Sequence, residues 1–314
     1  ANRPGPSAFC GVSSSMADEG LINYQLYITG GMLITVFNLA LGLLIICHKS
    51  IRQQKEYLIY AGCMFFDVFF GLTYLSAGAY RLKIADETIL YPNTTKYGCM
   101  MTVHNFLFVY ITAGAGVLVI VTAIDRFIGV FFPTKYIVLR ARYVYFLLFI
   151  IFTLPLLGIP VAVLTSYPHR YACDQHAACV LSQAVIYEVY LGLRLARILG
   201  SFACVFIYIP ISIRIFQNVA RTSSVAYMAT SQNRRLIRTT VTVILVTVNT
   251  ICLYVVPDIY LLFNPKTPTF AFYLMNMCKG LVNILIFLVT QKTLRKAIVQ
   301  TIKSKGSRRS RLVS

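Results

Sequence analysis

Charge is scarce in this sequence, and acidic charge is the scarcest. Asp, Glu, Lys and Arg together make up 12% of the 314 residues, about half the share carried by a soluble domain. Hydrophobic residues make up 58%, and the mean hydropathy is +0.71. That balance argues against a water-soluble fold. Only 10 residues are acidic against 29 Lys and Arg, a formal charge of +19. No paired acids, metal-ligand spacing or nucleophile with a base share a plausible depth, so an intramembrane enzyme is disfavoured and no metal or cofactor is expected. The cations sit between apolar runs rather than in one stripe or arm, so nucleic acid is not an expected partner.

Two other features are missing. The first 25 residues contain no apolar core long enough for a cleavable signal peptide; the sequence starts at Ala1, with Met16 as a candidate start. No internal repeat is evident either, and the two halves do not mirror one another as those of many transporters do.

What the sequence does have is seven long apolar runs. A bilayer core of about 30 Å needs roughly 20 apolar residues at the helical rise of about 1.5 Å. Runs of that length occupy Leu26 to Cys47, Tyr57 to Ala79, Cys99 to Ile124, Tyr143 to Leu164, Ile186 to Phe216, Thr239 to Phe263 and Phe270 to Val289. Buried helices of a soluble protein would carry a polar face at helical spacing, and stretches such as TVTVILVTVNTICLYVV carry none. The expected fold is an all-α membrane protein: a seven-transmembrane helix bundle embedded among membrane lipids.

Cation placement orients the bundle. With the N-terminus outside, inner segments hold Lys49, Arg52, Lys55, Arg126, Lys135, Arg140, Arg142, Arg214, Arg221, Arg234, Arg235 and Arg238, and eight more from Lys292 to Arg311. That places 20 of the 29 cations inside, 8 outside, and Lys279 within a span, so the positive-inside rule predicts N-terminus extracellular and C-terminus cytoplasmic. The division expected is an extracellular segment over 1–25, a membrane domain over 26–289, and a cytoplasmic basic tail over 290–314, at the plasma membrane. Asn93-Thr94-Thr95 is a sequon in the first outer loop, which makes Asn93 a candidate glycosylation site. Cys10, Cys99, Cys173 and Cys179 also fall outside, where disulfides persist, and spacing leaves their three possible pairings open. Cys47, Cys63, Cys204, Cys252 and Cys278 lie in or beside spans and read as small buried hydrophobes.

The string DRFIGVFFPTKY at the inner end of the third run places Asp125, Arg126 and Phe127 ahead of Pro133 and Tyr136. It resembles the DRY…P..Y signature of rhodopsin-like (class A) G-protein-coupled receptors in residue type and spacing. Asn38, Asp67, Pro210 and Pro257 stand where that family carries its markers, Asn283 to Phe287 replaces its NPxxY, and Leu294-Arg295 matches the start of a short amphipathic eighth helix. The blocks ICHKSIRQQKEYLIYAG and FFDVFFGLTYLSAGAYRL are similar to nematode serpentine chemoreceptors, of the Srsx kind. The resemblance covers residues 26 to 300. It implies a receptor that binds an extracellular small-molecule or peptide ligand and activates a heterotrimeric G protein, with chemosensation favoured over neuropeptide reception. The disulfide expected is Cys99 to Cys179.

Departures from the family pattern mark what must work differently. The chain has no Trp, and Val255 stands where the sixth span usually places that aromatic. Asn218 and Phe287 replace tyrosines, and Ile237 stands where relatives place an acid that binds the third-span Arg. By the resemblance, Asp125 restrains Arg126 until the sixth helix moves, and Asn283 and Phe287 belong to the same activation machinery.

Ionisable groups within spans cost about 2.5 to 3.5 kcal/mol each on insertion scales, so each is expected to have a partner. Asp67 and Lys279 are the expected pair, with Asn38 and Asn283 completing a polar network in which the ammonium substitutes for the sodium ion that the family holds there. Asp258 follows Pro257 in the outer half. With His104, Phe108, Arg197 and Tyr273 it outlines a candidate ligand pocket, although packing or interfacial anchoring accounts equally for each of these except Asp258. Phe108 occupies the place where amine receptors carry an acid, which argues against a biogenic amine. A transporter, using Asp67 and Lys279 for ion coupling, is the reading from another class, and it leaves DRFIGVFFPTKY without a role.

Overall fold

A computed structural model of the protein describes residues 18–86, 94–139, 141–172, 175–223, 231–264, 270–291, 294–295 and 298–299. Met16, Asn93, Cys10, Cys173 and most of the basic tail lie outside the described residues, as do the side chains of Asn218 and Ile237.

Among the described residues seven helices are long and apolar enough to cross a membrane: Leu21–Cys47, Lys55–Ile84, Val103–Phe131, Arg142–His169, Tyr187–Gln217, Thr240–Phe263 and Phe270–Thr290. The protein is a multi-pass, all-α membrane protein. Helix is the expected form because a spanning segment must satisfy its backbone N–H and C=O groups internally where no water reaches. Exposed side chains such as Phe37, Phe146, Phe149, Leu164, Phe206 and Val289 form the lipid-facing surface.

The observed spans depart from the expected ones for local reasons. The third begins at Val103 rather than Cys99, because Lys96–Met100 forms its own short helix capped by Thr95. The fourth is interrupted by a 3₁₀ turn at Leu154–Leu157, where Pro155 removes a backbone donor. In the sixth, Ser231–Thr250 leads into a π-helical turn at Ile251–Val255 before the helix resumes at Val256–Phe263. Of the expected eighth helix, Leu294, Arg295, Ile298 and Val299 are helical, and Leu294 is buried.

Small residues let helices approach closely, as they must where lipid supplies little drive for association. A Cβ on Gly200 of the fifth helix would stand 2.8 Å from the Cα of Gly116 on the third. This contact lies one turn from Arg197 and so sets the depth at which that side chain enters the bundle. A Cβ on Gly31 would meet the Gly71 carbonyl oxygen at 2.7 Å, drawing the first and second helices together.

The core has two parts. One lies toward the disulfide and gathers Tyr27, Phe66, Phe70, Tyr74, Phe108 and Tyr254; the other lies toward Arg126 and gathers Ile45, Tyr57, Tyr60, Tyr208 and Phe287. Among the cysteines expected to be buried, only Cys204 is: Cys63 is half-buried, and Cys47, Cys252 and Cys278 are exposed. The lipid-facing surface is itself apolar, so a small hydrophobic residue is tolerated there as readily as inside.

Candidate functional site

A disulfide joins Cys99 to Cys179, with their Cα atoms 5.0 Å apart. It ties the short helix before the third span to the loop between the fourth and fifth. Several bonds reinforce that tie. Asn105 Nδ2 donates to the Cys179 carbonyl at 3.1 Å, Arg81 Nε donates to the Ala178 carbonyl at 3.1 Å, and Thr94 and Gln175 form a two-bond antiparallel bridge. His104 is 99% buried, with Nε2 3.2 Å from the same Cys179 carbonyl and its ring 4.7 Å from that of Tyr80. His104 therefore anchors the loop and does not line the crevice beneath it, contrary to the pocket outlined from sequence. Helix rotation turns its side chain toward the loop, a direction that linear spacing does not convey.

The crevice itself takes in about 490 Å³ of space when the solvent at its mouth is included. Phe108, Arg197, Asp258 and Tyr273 line it, joined by Arg194, Tyr254, Leu181 and Asn276. Arg197 on the fifth helix forms a buried ion pair with Asp258 on the sixth. The Arg197 guanidinium also lies 3.8 Å from the centre of the Tyr254 ring.

Tyr254 lies in the π turn, and it is the residue that sequence reasoning missed here. The extra residue of a π turn rotates the helix face, and Tyr254 is buried against Phe70 while its neighbour Val255, also buried, stands at the position usually held by Trp. Lys279 also approaches Tyr254, with its ammonium 5.6 Å from the ring centre. The Lys279 ammonium is 3.6 Å from Asp67, and both are almost fully buried. One ring is thus contacted by the cations of two ion pairs.

Asn249, also unanticipated, extends the polar cluster. Its side-chain nitrogen donates to Asn283 Oδ1 at 2.8 Å and to the Lys279 carbonyl at 3.0 Å, joining sixth and seventh helices. Asn38, which was expected in this network, donates instead to the Ile34 carbonyl of its own helix at 2.9 Å.

At the opposite end of the bundle, Arg126 pairs with Asp125 at 2.5 Å, and both are buried. The Tyr136 hydroxyl approaches the same carboxylate at 3.5 Å, the edge of hydrogen-bonding range. Burial pushes the Tyr136 phenol well above its ordinary pKa, so the group remains a donor. Pro133 opens the short helix Pro133–Val138 that carries Tyr136, in the first helical position, where its missing N–H costs nothing. Lys55 fixes that helix by donating to the Tyr136 carbonyl at 2.7 Å. Phe127 stacks on Phe131, and Phe287 packs edge-on against Tyr60. Nearby, the Tyr57 hydroxyl donates to Gln291 Oε1 at 3.1 Å.

Residues 19–164 match the family model described as serpentine type 7TM GPCR chemoreceptor Srbc. The match takes in the first three spans, most of the fourth and the whole of DRFIGVFFPTKY. The resemblance to nematode serpentine chemoreceptors therefore stands, with Srbc rather than Srsx as the matching kind. That family is one of seven-helix chemosensory receptors. No curated protein matches the chain.

Proposed function

We propose that this protein is a chemosensory receptor that binds a small extracellular ligand in the crevice beneath the Cys179 loop and activates a heterotrimeric G protein at the Arg126 end. In this reading residues 1–25 lie outside the cell, 26–289 form the receptor domain in the plasma membrane, and 290–314 lie in the cytoplasm, in keeping with the positive-inside rule. Asn93, in the outer loop, is then available for glycosylation.

One relation carries the reading. A crevice lined by charged and aromatic groups opens at one end, the buried Asp125 and Arg126 pair sits at the other, and polar side chains of the sixth and seventh helices stand between. Arg197 and Asp258 join the fifth and sixth helices at the crevice, while Asn249 and Asn283 join the sixth and seventh deeper in. A ligand that prefers one arrangement of the sixth helix shifts its population, and that shift exposes Arg126 to the G protein. The lid and the narrow crevice suit a small molecule better than a peptide.

The test is nucleotide exchange on added heterotrimeric G protein, using membranes that contain the receptor, alongside solute uptake into vesicles that contain the same protein. Exchange that is lost in Arg126→Ala supports the receptor; uptake coupled to an ion gradient and dependent on Asp67 and Lys279 would replace it with a transporter.

A further inference from the structure

We propose that the crevice takes a small organic anion, a carboxylate on an apolar body, with Arg194 as its anchor and Arg197 as a second contact that the ligand draws away from Asp258. The inference deepens the receptor reading and rests on it for the role of the site.

Arg194 is 93% buried and lines the crevice. Its described contact is the Tyr190 ring, 4.3 Å from the guanidinium. Such a contact is weak beside the cost of taking an ion out of water, so a charge at this depth calls for an opposite charge. Among the described residues no carboxylate pairs with Arg194; the one acid on the crevice wall, Asp258, is held by Arg197. The wall thus carries two guanidinium groups and one carboxylate. An ammonium ligand would meet excess positive charge and an acid already engaged.

The remaining wall sets the rest of the ligand. Phe108, Ile111, Leu193 and Leu261 supply apolar surface, which suits a hydrocarbon or aryl body, and a guanidinium fork suits the planar carboxylate. A carboxylate reaching Arg197 competes with Asp258 and loosens the tie between fifth and sixth helices. Binding energy and helix movement are then linked through one guanidinium.

The experiment follows thermal unfolding of the full-length receptor in lipid nanodiscs with hexanoate, octanoate and benzoate, each compared with its primary amide. A ligand that binds the folded form raises the midpoint with concentration. The acids are expected to stabilise the wild type and the amides are not. In Arg194→Gln the half-saturating acid concentration should rise roughly tenfold or more, Arg194→Lys should restore most of the effect, and Asp258→Asn should strengthen it by freeing Arg197. The unliganded midpoint of each variant shows that it is folded. Amides equal to acids, no acid effect on the wild type, or an equal effect on wild type and Arg194→Gln overturns the proposal. Acids that stabilise without promoting nucleotide exchange leave the anion site standing and remove the receptor reading; exchange driven by another ligand while acids are inert removes the anion site alone.

Discussion

The Gln291 side-chain nitrogen donates to the Thr242 hydroxyl at 2.6 Å, joining the end of the seventh helix to the sixth. Gln291 is 99% buried and its oxygen accepts from Tyr57, so one side chain binds three helices near the Arg126 end. Ile237 leaves no acid at the sixth-helix position where relatives hold the third-helix arginine. The Gln291 clasp ties the sixth helix by other means, with neutral hydrogen bonds.

Loosening that clasp should raise basal signalling. A net hydrogen bond is worth about 1 kcal/mol, roughly a fivefold shift in a two-state population. Gln291→Leu and Thr242→Val should each raise ligand-free nucleotide exchange by that order at matched surface expression. Because the two share one bond, the double variant should fall short of the summed effects. Basal exchange equal to wild type in both single variants would remove the clasp from the mechanism.

Arg126→Ala should abolish ligand-driven exchange while cell-surface labelling stays near the wild-type level. Arg126→Lys keeps the charge but loses the planar fork, and should retain partial activity. Full exchange in Arg126→Ala at equal surface density sinks the assignment of this end to G-protein coupling.

Lys279 and Asp67 should behave as one unit. Removing one partner of a buried pair costs about 3 to 5 kcal/mol because the other charge is left uncompensated. Lys279→Met should therefore lower the thermal midpoint by several degrees and make it respond to sodium over potassium, as a cation fills the place of the ammonium beside Asp67. The Asp67→Asn, Lys279→Met double variant should recover most of the loss and ignore sodium. A Lys279→Met protein as stable as wild type, or equally indifferent to sodium, contradicts the pairing role.

The disulfide should matter for the lid more than for the bundle. Cys99→Ser and Cys179→Ser should each destabilise by about 2 to 4 kcal/mol, with the double variant no worse than either alone. The expected readout is a lower midpoint together with weaker ligand stabilisation, since the bond holds the loop carrying Leu181 over the crevice. Unequal single variants would indicate that one cysteine has another partner.

Much of this was legible before any coordinates. The pairing of Asp67 with Lys279 was read from the cost of lone charges in lipid, and it appears at 3.6 Å. The Arg197 and Asp258 pair was half legible: the cost of a lone charge in lipid calls for a partner to Asp258, but spacing does not say which cation supplies it. Tyr254 was hidden because a single π turn changes which residue faces inward, and nothing in ICLYVVP marks such a turn. Gln291, Thr242 and Asn249 were missed because neutral polar residues carry no insertion penalty large enough to demand a partner.

Sequence by itself determined how many times this chain crosses the membrane, which ends carry the cations, and where the Asp125 and Arg126 motif falls, because hydrophobic length and charge are additive along a chain. Tertiary structure alone decided which face of each helix turns inward: His104 to the loop, Arg194 to the crevice, Cys252 and Cys278 to lipid. In water a polar stripe would have announced the outer face of each helix. In a bilayer both faces are apolar, so only the packing of neighbouring helices distinguishes them.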